Sequence, residues 1–143
     1  MTQEEKQLLL NDLCGRFQYG VKVCARFNTG NRYTTNVTAI YADRDYVQIR
    51  QNVLHSYTGS SVEDIRPYLR PMSSMTEEEK EEFENLVFTY DFGNGQFPIE
   101  HVIMYWDSFE EVLEWLNSHH FDYRGLIPMG LALEAPEDMY KTV

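Results

Sequence analysis

Hydrophobic and polar positions first repeat with the period of a helix. The pattern Thr2-x-x-Glu5 is a capping box, in which the two side chains bond free N–H groups at a helix start. Three leucines follow at helical spacing: Leu9, Leu10 and Leu13. The pattern predicts a short amphipathic helix over residues 3–14, with Gly15 placed to end it.

From residue 21 the period changes to two, which is typical of strands with one buried face. Strands are predicted at residues 21–27, 33–41, from Tyr46, and around 54–57. Turn-forming residues at 28–31, 42–45 and 58–61 end the first, second and fourth of them. Four short strands in succession predict an antiparallel meander, which must close on itself or be covered to protect its edges.

Prolines divide the segment that follows the meander. Residues 62–66 have the composition of one helical turn. Pro67 and Pro71 bracket residues 68–70, which we expect to be extended because proline disfavours helix in the residue before it. Residues 73–75 then form a junction to the second half of the chain.

The second half predicts two more helices. Thr76-x-x-Glu79 opens one of about twelve residues, and Ser108-x-x-Glu111 opens another that ends near residues 117–118. The last helix has the clearest helical period: Phe109, Val112, Leu113 and Leu116. Between the helices, an aromatic stretch predicts a hairpin of residues 88–92 with 99–105. After them we expect short turns packed onto the core.

These elements predict an α+β fold: an N-terminal helix, a small antiparallel meander, and acidic C-terminal helices packed on it. Short strands with a helical turn before the last one look like an SH3-like or Sm-like small barrel. We expect one domain over residues 1–143, with sub-regions 1–71 and 76–143 and an internal seam near Pro71–Thr76.

Charge divides unevenly between these sub-regions. Residues 1–75 hold nine Lys/Arg and seven Asp/Glu, whereas residues 76–143 hold three Lys/Arg and sixteen Asp/Glu. The net charge of −11 at pH 7 therefore arises in the second half. A field of this sign repels phosphate backbones and attracts basic protein surfaces.

Composition indicates a globular protein, with 43% hydrophobic and 14% aromatic residues. No apolar run approaches the ~20 residues that a membrane span needs. The acidic N-terminus lacks the basic-then-apolar order of a signal peptide. We therefore expect a cytoplasmic protein without membrane contact, in which Cys14 and Cys24 stay reduced. Their spacing matches no common metal-ligand pattern.

Three stretches of the sequence are distinctive enough to suggest a protein family. They are YGVKV at 19–23, DIRPYLRPMSSMTEEE at 64–79 and HHFDYRGLI at 119–127. In this order they resemble a broad group of small uncharacterised proteins from gut Bacteroidales and their phages or prophages. The resemblance implies a cytoplasmic protein associated with a mobile element. Since the group carries no known activity, it implies no catalytic residue.

Candidate ligand residues lie after the last predicted helix. His119, His120 and Asp122 offer imidazole and carboxylate groups, which suit Zn or Mn. Alternatively, one histidine caps the helix near its negative end while Asp122 begins the next turn. Arg124 either makes a structural salt bridge, with Asp122 or Glu134, or receives an anionic ligand or a partner's carboxylate.

Established catalytic motifs are missing from the sequence. It contains no Gly-rich phosphate loop, nucleophile elbow, zinc-type Cys/His spacing or HExxH pattern. We therefore predict no catalytic residue, metal or cofactor, and favour a non-enzymatic protein.

Glutamates of the two later helices are the predicted partner-binding residues: Glu77, Glu78, Glu81, Glu82, Glu110 and Glu114. If the helices lie side by side, their carboxylates form one anionic surface; the alternative is an ordinary solvated helix face. Arginines interleave with tyrosines in the meander, a combination that suits single-stranded nucleic acid. The small net charge of that half argues against nucleic acid as a direct ligand.

The leading hypothesis is a non-enzymatic binding or adaptor protein of a phage or mobile element, which docks a basic protein through its acidic surface. Two alternatives stay open. One is an acidic DNA mimic that inhibits a nuclease or a host defence enzyme. The other is a metal-dependent enzyme centred on the segment His119-His120-x-Asp122.

Overall fold

A computed structural model describes residues 1–26, 30–41, 43, 45–50, 57–88 and 106–141. Its helices are α1 (Gln3–Arg16), α2 (Glu77–Phe88) and α3 (Trp106–Ser118). Its strands are β1 (Lys22–Arg26), β2 (Arg32–Tyr41), β3 (Tyr46–Arg50), β4 (Tyr57–Ser61), β5 (Ile65–Leu69) and β6 (Leu133–Glu134). The predicted α+β fold class is confirmed. Within the described ranges, no helix combines the length and apolar character needed to cross a membrane.

The six strands form a sheet in the order β4-β3-β2-β1-β5-β6. Strands β1 to β4 make the predicted antiparallel meander. After a 3-10 turn at Val62–Asp64, β5 returns to pair antiparallel with β1, and β6 joins β5 in parallel. Among the described strands β4 and β6 remain unjoined at the two ends, so the sheet is open and does not close into a barrel.

Helix α1 begins as predicted but ends later. Thr2 Oγ1 accepts a bond from Glu5 N and Glu5 Oε2 accepts one from Thr2 N, both at 3.1 Å, which confirms the capping box. The prediction that Gly15 ends the helix is wrong; the chain turns at Gly20, whose φ is +70°. Gly15 instead allows close packing, because a Cβ there would lie 3.2 Å from Asn117 Nδ2 of α3.

Strand β4 occupies residues that the sequence predicts to end a strand. Residues 51–56, which contain most of the predicted strand, lie outside the described residues. Gly59 is compatible with a strand because the Tyr46 ring of β3 covers it. A Cβ built on Gly59 would lie 1.9–2.1 Å from atoms of that ring.

Replacing Gly59 with alanine is therefore expected to displace the Tyr46 ring and lower the free energy of unfolding by about 1–3 kcal/mol. The measurement is urea unfolding of both the single variant and the same substitution in a Tyr46→Ala background. In that background the cost should largely disappear. An equal cost in both backgrounds would contradict the proposed contact.

Three other boundaries differ from prediction. Ile65 and Arg66 belong to β5 rather than to the helical turn, because they pair with β1. Helix α3 starts at Trp106, so Ser108 lies inside it and is not its N-cap. Helix α2 runs to Phe88, so the predicted hairpin cannot start there; the rest of that hairpin, residues 89–105, lies outside the described residues.

The hydrophobic core lies between α1 and one face of the sheet. It includes Leu9, Leu10, Leu13, Val23, Ala25, Val47, Ile49, Ile65 and Leu69. Turns after α3 close this core with Leu126, Leu131 and Ala132, as the sequence predicts. Since alternate strand residues point to opposite faces, the second face of the sheet carries the intervening polar side chains.

Candidate functional site

Helix α2 starts at a capping box that fixes its position after β5. Thr76 Oγ1 accepts a bond from Glu79 N at 3.1 Å, and Glu79 Oε1 accepts one from Thr76 N at 3.0 Å. The first turn contains Glu77, Glu78 and Glu79. Carboxylates are favourable here because the helix start has a partial positive charge.

Helices α2 and α3 contact each other, as the predicted anionic surface requires. The rings of Phe83 and Trp115 lie with centroids 5.5 Å apart. Trp115 Nε1 also donates to Glu82 Oε2 at 3.2 Å. One glutamate, Glu82, thus takes part in the helix contact.

All glutamates of the two helices except Glu79 are exposed. We name as the acidic helix pair the exposed glutamates of α2 and α3: Glu77, Glu78, Glu81, Glu82, Glu84, Glu110, Glu111 and Glu114. All six predicted partner-binding residues belong to this set. Helical spacing puts residues four apart on one face, so the carboxylates of each helix form a row. Lys80 offsets one of them through an exposed pair, with Nζ 3.4 Å from Glu77 Oε1.

Glu79 is a structural residue and not part of that set. Its two oxygens accept bonds from Arg70 Nη2 and Nη1 at 2.6 and 2.7 Å. This pairing is the main reason that the pKa of Glu79 falls to about 2. The Arg70 guanidinium also lies 4.2 Å from the Phe121 ring centroid. The contact therefore joins the end of β5 to α2 and to the turn after α3.

Asp122 and His119 both take the structural roles that the sequence analysis left open. Asp122 Oδ1 and Oδ2 accept bonds from Leu126 N and Ile127 N at 2.8 and 2.9 Å, so its carboxylate begins the next turn. His119 Nδ1 lies 2.8 Å from Trp115 O in the last turn of α3. Its ring stacks on Trp115 with centroids 4.2 Å apart.

His120 differs from its neighbour because it is buried and has a positive φ of 62°. Its ring stacks on Tyr140 with centroids 3.6 Å apart. Burial, followed by the positive charge of Arg16, lowers the pKa of His120 to about 4. Nδ1 of His120 has no hydrogen-bond partner among the described residues.

Tyr140 holds the C-terminal segment against the sheet. Its hydroxyl donates to Tyr68 O at 2.7 Å and accepts from Lys22 N at 3.0 Å, which connects β5 and β1. Burial raises the pKa of Tyr140 to about 12. His119, His120 and Asp122 therefore each contact different neighbours, and in the described parts of the chain no three His, Cys, Asp or Glu side chains are placed to hold a metal.

Arg124 makes a structural salt bridge, but with a different partner than the sequence predicts. Its Nη1 lies 2.7 Å from Asp12 Oδ1, not at Asp122 or Glu134. The same carboxylate is bonded by Arg16 Nε at 2.8 Å and Nη2 at 3.1 Å. Arg16 and Asp12 are fully buried, whereas the Arg124 side chain is 27% exposed, so a buried and a partly exposed guanidinium group share one carboxylate.

Sequence reasoning missed this buried cluster, defined as Asp12, Arg16 and Arg124. Its one local signal is the spacing of Asp12 and Arg16, four residues apart on α1. That spacing is ordinary on exposed helices and gives no indication of burial. Burial arises from tertiary contacts: Arg16 Nη2 donates to Phe121 O at 2.6 Å, and Arg124 reaches α1 from the far end of the chain.

Comparison of the chain with protein-family models, with curated proteins and with solved structures gives no match.

Proposed function

We propose that this chain is a non-enzymatic, cytoplasmic adaptor protein of a phage or mobile element, which docks a basic protein through the acidic helix pair. The observation that supports the proposal is the contact between α2 and α3, two helices whose glutamates, Glu79 excepted, are exposed. The resemblance of three sequence stretches to proteins of Bacteroidales and their phages supports the mobile-element setting.

Electrostatics favours a basic protein as the occupant. All glutamates of the acidic helix pair are exposed; among them Glu77 is paired with Lys80, and Glu82 accepts a bond from Trp115. Complementary charge speeds association and selects among partners, while rows of like charge exclude acidic surfaces. Three of the ligand candidates after α3, His119, Asp122 and Arg124, make structural contacts, which favours binding over catalysis.

The experiment is affinity capture of proteins from host lysate, compared between wild-type protein and a variant with the six predicted glutamates changed to Gln. We expect the variant to lose the captured basic proteins at least tenfold, as quantified by mass spectrometry. A charge-matched control carries six Gln substitutions elsewhere: Glu4, Asp43, Asp64, Glu134, Glu137 and Asp138. Equal capture by both folded variants would contradict the proposal.

A basic protein captured in that experiment, once purified, can be used to distinguish docking from DNA mimicry. A DNA mimic must occupy the partner's DNA site, so an oligonucleotide would displace the protein with steep salt dependence. If partner, oligonucleotide and this protein form one ternary complex, mimicry is excluded and docking is retained.

A further inference from the structure

The second face of the sheet, turned away from α1, concentrates positive charge. Strands β1 to β5 contain five cations and, within their described bounds, no aspartate or glutamate: Lys22, Arg26, Arg32, Arg50 and Arg66. Three of these, Arg26, Arg32 and Arg50, are exposed. We name this exposed side of β1 to β5 the basic sheet face.

Strand register places all five cations on the same side. In β1, Lys22 and Arg26 alternate with the buried core residues Val23 and Ala25. Arg32 lies directly opposite Arg26 across the β1–β2 pair. Likewise, Arg50 and Arg66 each follow a buried isoleucine of the core, Ile49 and Ile65.

Two like charges directly opposite each other destabilise a sheet. The fold nevertheless keeps Arg26 opposite Arg32, with both exposed. An anionic ligand bound across the two strands would relieve this repulsion. Glu63 and Asp64 line one small cleft together with Arg26, Arg32 and Arg66, so they offset part of this positive charge, and a bound anion would offset more of it.

The low net charge of residues 1–75 gives no indication of this face, because the carboxylates of that half lie in α1 and in turns, not in the strands. Glu4, Glu5 and Asp12 belong to α1; Asp43, Asp45, Glu63 and Asp64 belong to turns. Asp45 Oδ2 accepts a bond from Gln3 Nε2 at 3.3 Å, and Glu63 Oε1 lies 2.7 Å from Lys6 Nζ. Asp45 therefore reaches toward α1, whereas Glu63 pairs with Lys6 of α1 and also borders the basic sheet face.

Exposed aromatic rings occur on the same face. Tyr41 and Tyr46 are paired across β2 and β3, each 41% exposed, with ring centroids 6.3 Å apart. With Gln48 and Gly59 they line a cleft of about 370 Å³. A cleft of this size accommodates a planar base, and Gln48 supplies polar atoms at its wall.

We infer that the basic sheet face binds single-stranded nucleic acid, with phosphates near the arginines and a base in the tyrosine cleft. Such binding needs two features: positively charged side chains that contact the phosphates, and aromatic rings on which bases stack. A duplex would satisfy the arginines but keep its bases away from the tyrosines. This inference is independent of the acidic helix pair and adds a second ligand class to the protein.

The test is fluorescence anisotropy with a labelled twelve-nucleotide oligothymidylate, titrated at several salt concentrations. We expect binding at 50 mM salt, with a log–log salt slope of about −2 to −3, since each phosphate contact on a single strand contributes about −0.7. Changing Arg26, Arg32 and Arg50 together to Gln should weaken binding about tenfold or more. The control variant removes the same charge elsewhere, through Gln at Lys6, Lys80 and Lys141.

A second variant separates stacking from charge. The double variant Tyr41→Leu, Tyr46→Leu should weaken oligonucleotide binding about fivefold or more. The control variant Phe17→Leu removes a ring that is equally exposed, at 42%, and should not weaken binding. Polyphosphate of the same length should bind more weakly than the oligonucleotide. The inference is overturned by absent binding at 50 mM salt, by equal losses in test and control variants, or by equal affinity for polyphosphate. It is also overturned if the face instead mediates salt-sensitive self-association that excludes the oligonucleotide.

Discussion

Replacing Asp12 with alanine is expected to lower the free energy of unfolding by about 3–5 kcal/mol. The Asp12 carboxylate compensates the guanidinium groups of Arg16 and Arg124, and Arg16 is fully buried. In the Asp12→Ala variant, the positive charges of Arg16 and Arg124 lie close together and this cluster has no carboxylate to compensate them. Urea unfolding followed by circular dichroism measures the change.

Two further variants make this prediction sharper. Glu63→Gln removes an ion pair with Lys6 at the surface, and it should leave the unfolding midpoint almost unchanged because exposed pairs contribute little. Asp12→Leu combined with Arg16→Met replaces buried charge by apolar volume, and we expect it to recover much of the loss. If Asp12→Ala costs no more than the Glu63 variant, the buried cluster does not stabilise the fold as described.

Acidification is expected to produce the second large effect. His120 has a pKa of about 4 in the folded protein and 6.5 as its ordinary value. Between these values the unfolded chain binds a proton that the folded protein excludes, so stability falls as the pH falls. The loss from pH 6.5 to pH 4 amounts to roughly 2–3 kcal/mol, since one pKa unit corresponds to about 1.4 kcal/mol.

Glu79 adds a separate loss at lower pH. Its pKa of about 2, compared with 4.5 ordinarily, means that its ion pair with Arg70 stabilises the protein above pH 4.5. That contribution disappears as the pH falls toward 2. The two residues therefore act in successive windows, His120 first and Glu79 second.

The variant His120→Asn isolates the first window. Asparagine tolerates the positive φ of this position but does not titrate, so the curve of stability against pH should flatten between pH 6.5 and 4. Parallel curves for wild type and His120→Asn would show that another group causes the acid sensitivity.

Local patterns were sufficient to predict the order of most described elements. Capping boxes at Thr2 and Thr76 fixed two helix starts, because their bonds involve residues only three apart. Alternation of apolar and polar residues correctly gave the first three strands and the meander. These signals depend only on residues that are close together in the chain, so they can be read from a single sequence.

Contacts between distant residues account for the failures. Gly15 resembles a helix stop, but its role depends on Asn117 of α3. Gly59 resembles a turn residue, but the Tyr46 ring of β3 makes a strand possible there. The partner of Arg124 lies on α1, which no local pattern indicates.

Net charge is also a poor guide where the fold separates charged residues that are close in sequence. The net charge of the first half adds residues that the fold places on different faces, and so it hides the basic sheet face. The signal was nevertheless present in β1, where Lys22 and Arg26 share a period of two. In the second half, α2 and α3 contact each other and all their glutamates except Glu79 are exposed.

The acidic helix pair as a docking surface is the central claim. Its most direct test is the dissociation constant, measured by titration calorimetry, of a purified captured partner for wild-type protein and for the six-glutamine helix variant. The account predicts an affinity loss of about a hundredfold or more at low salt, and a weaker salt dependence in the variant. An unchanged dissociation constant for a correctly folded variant would contradict it.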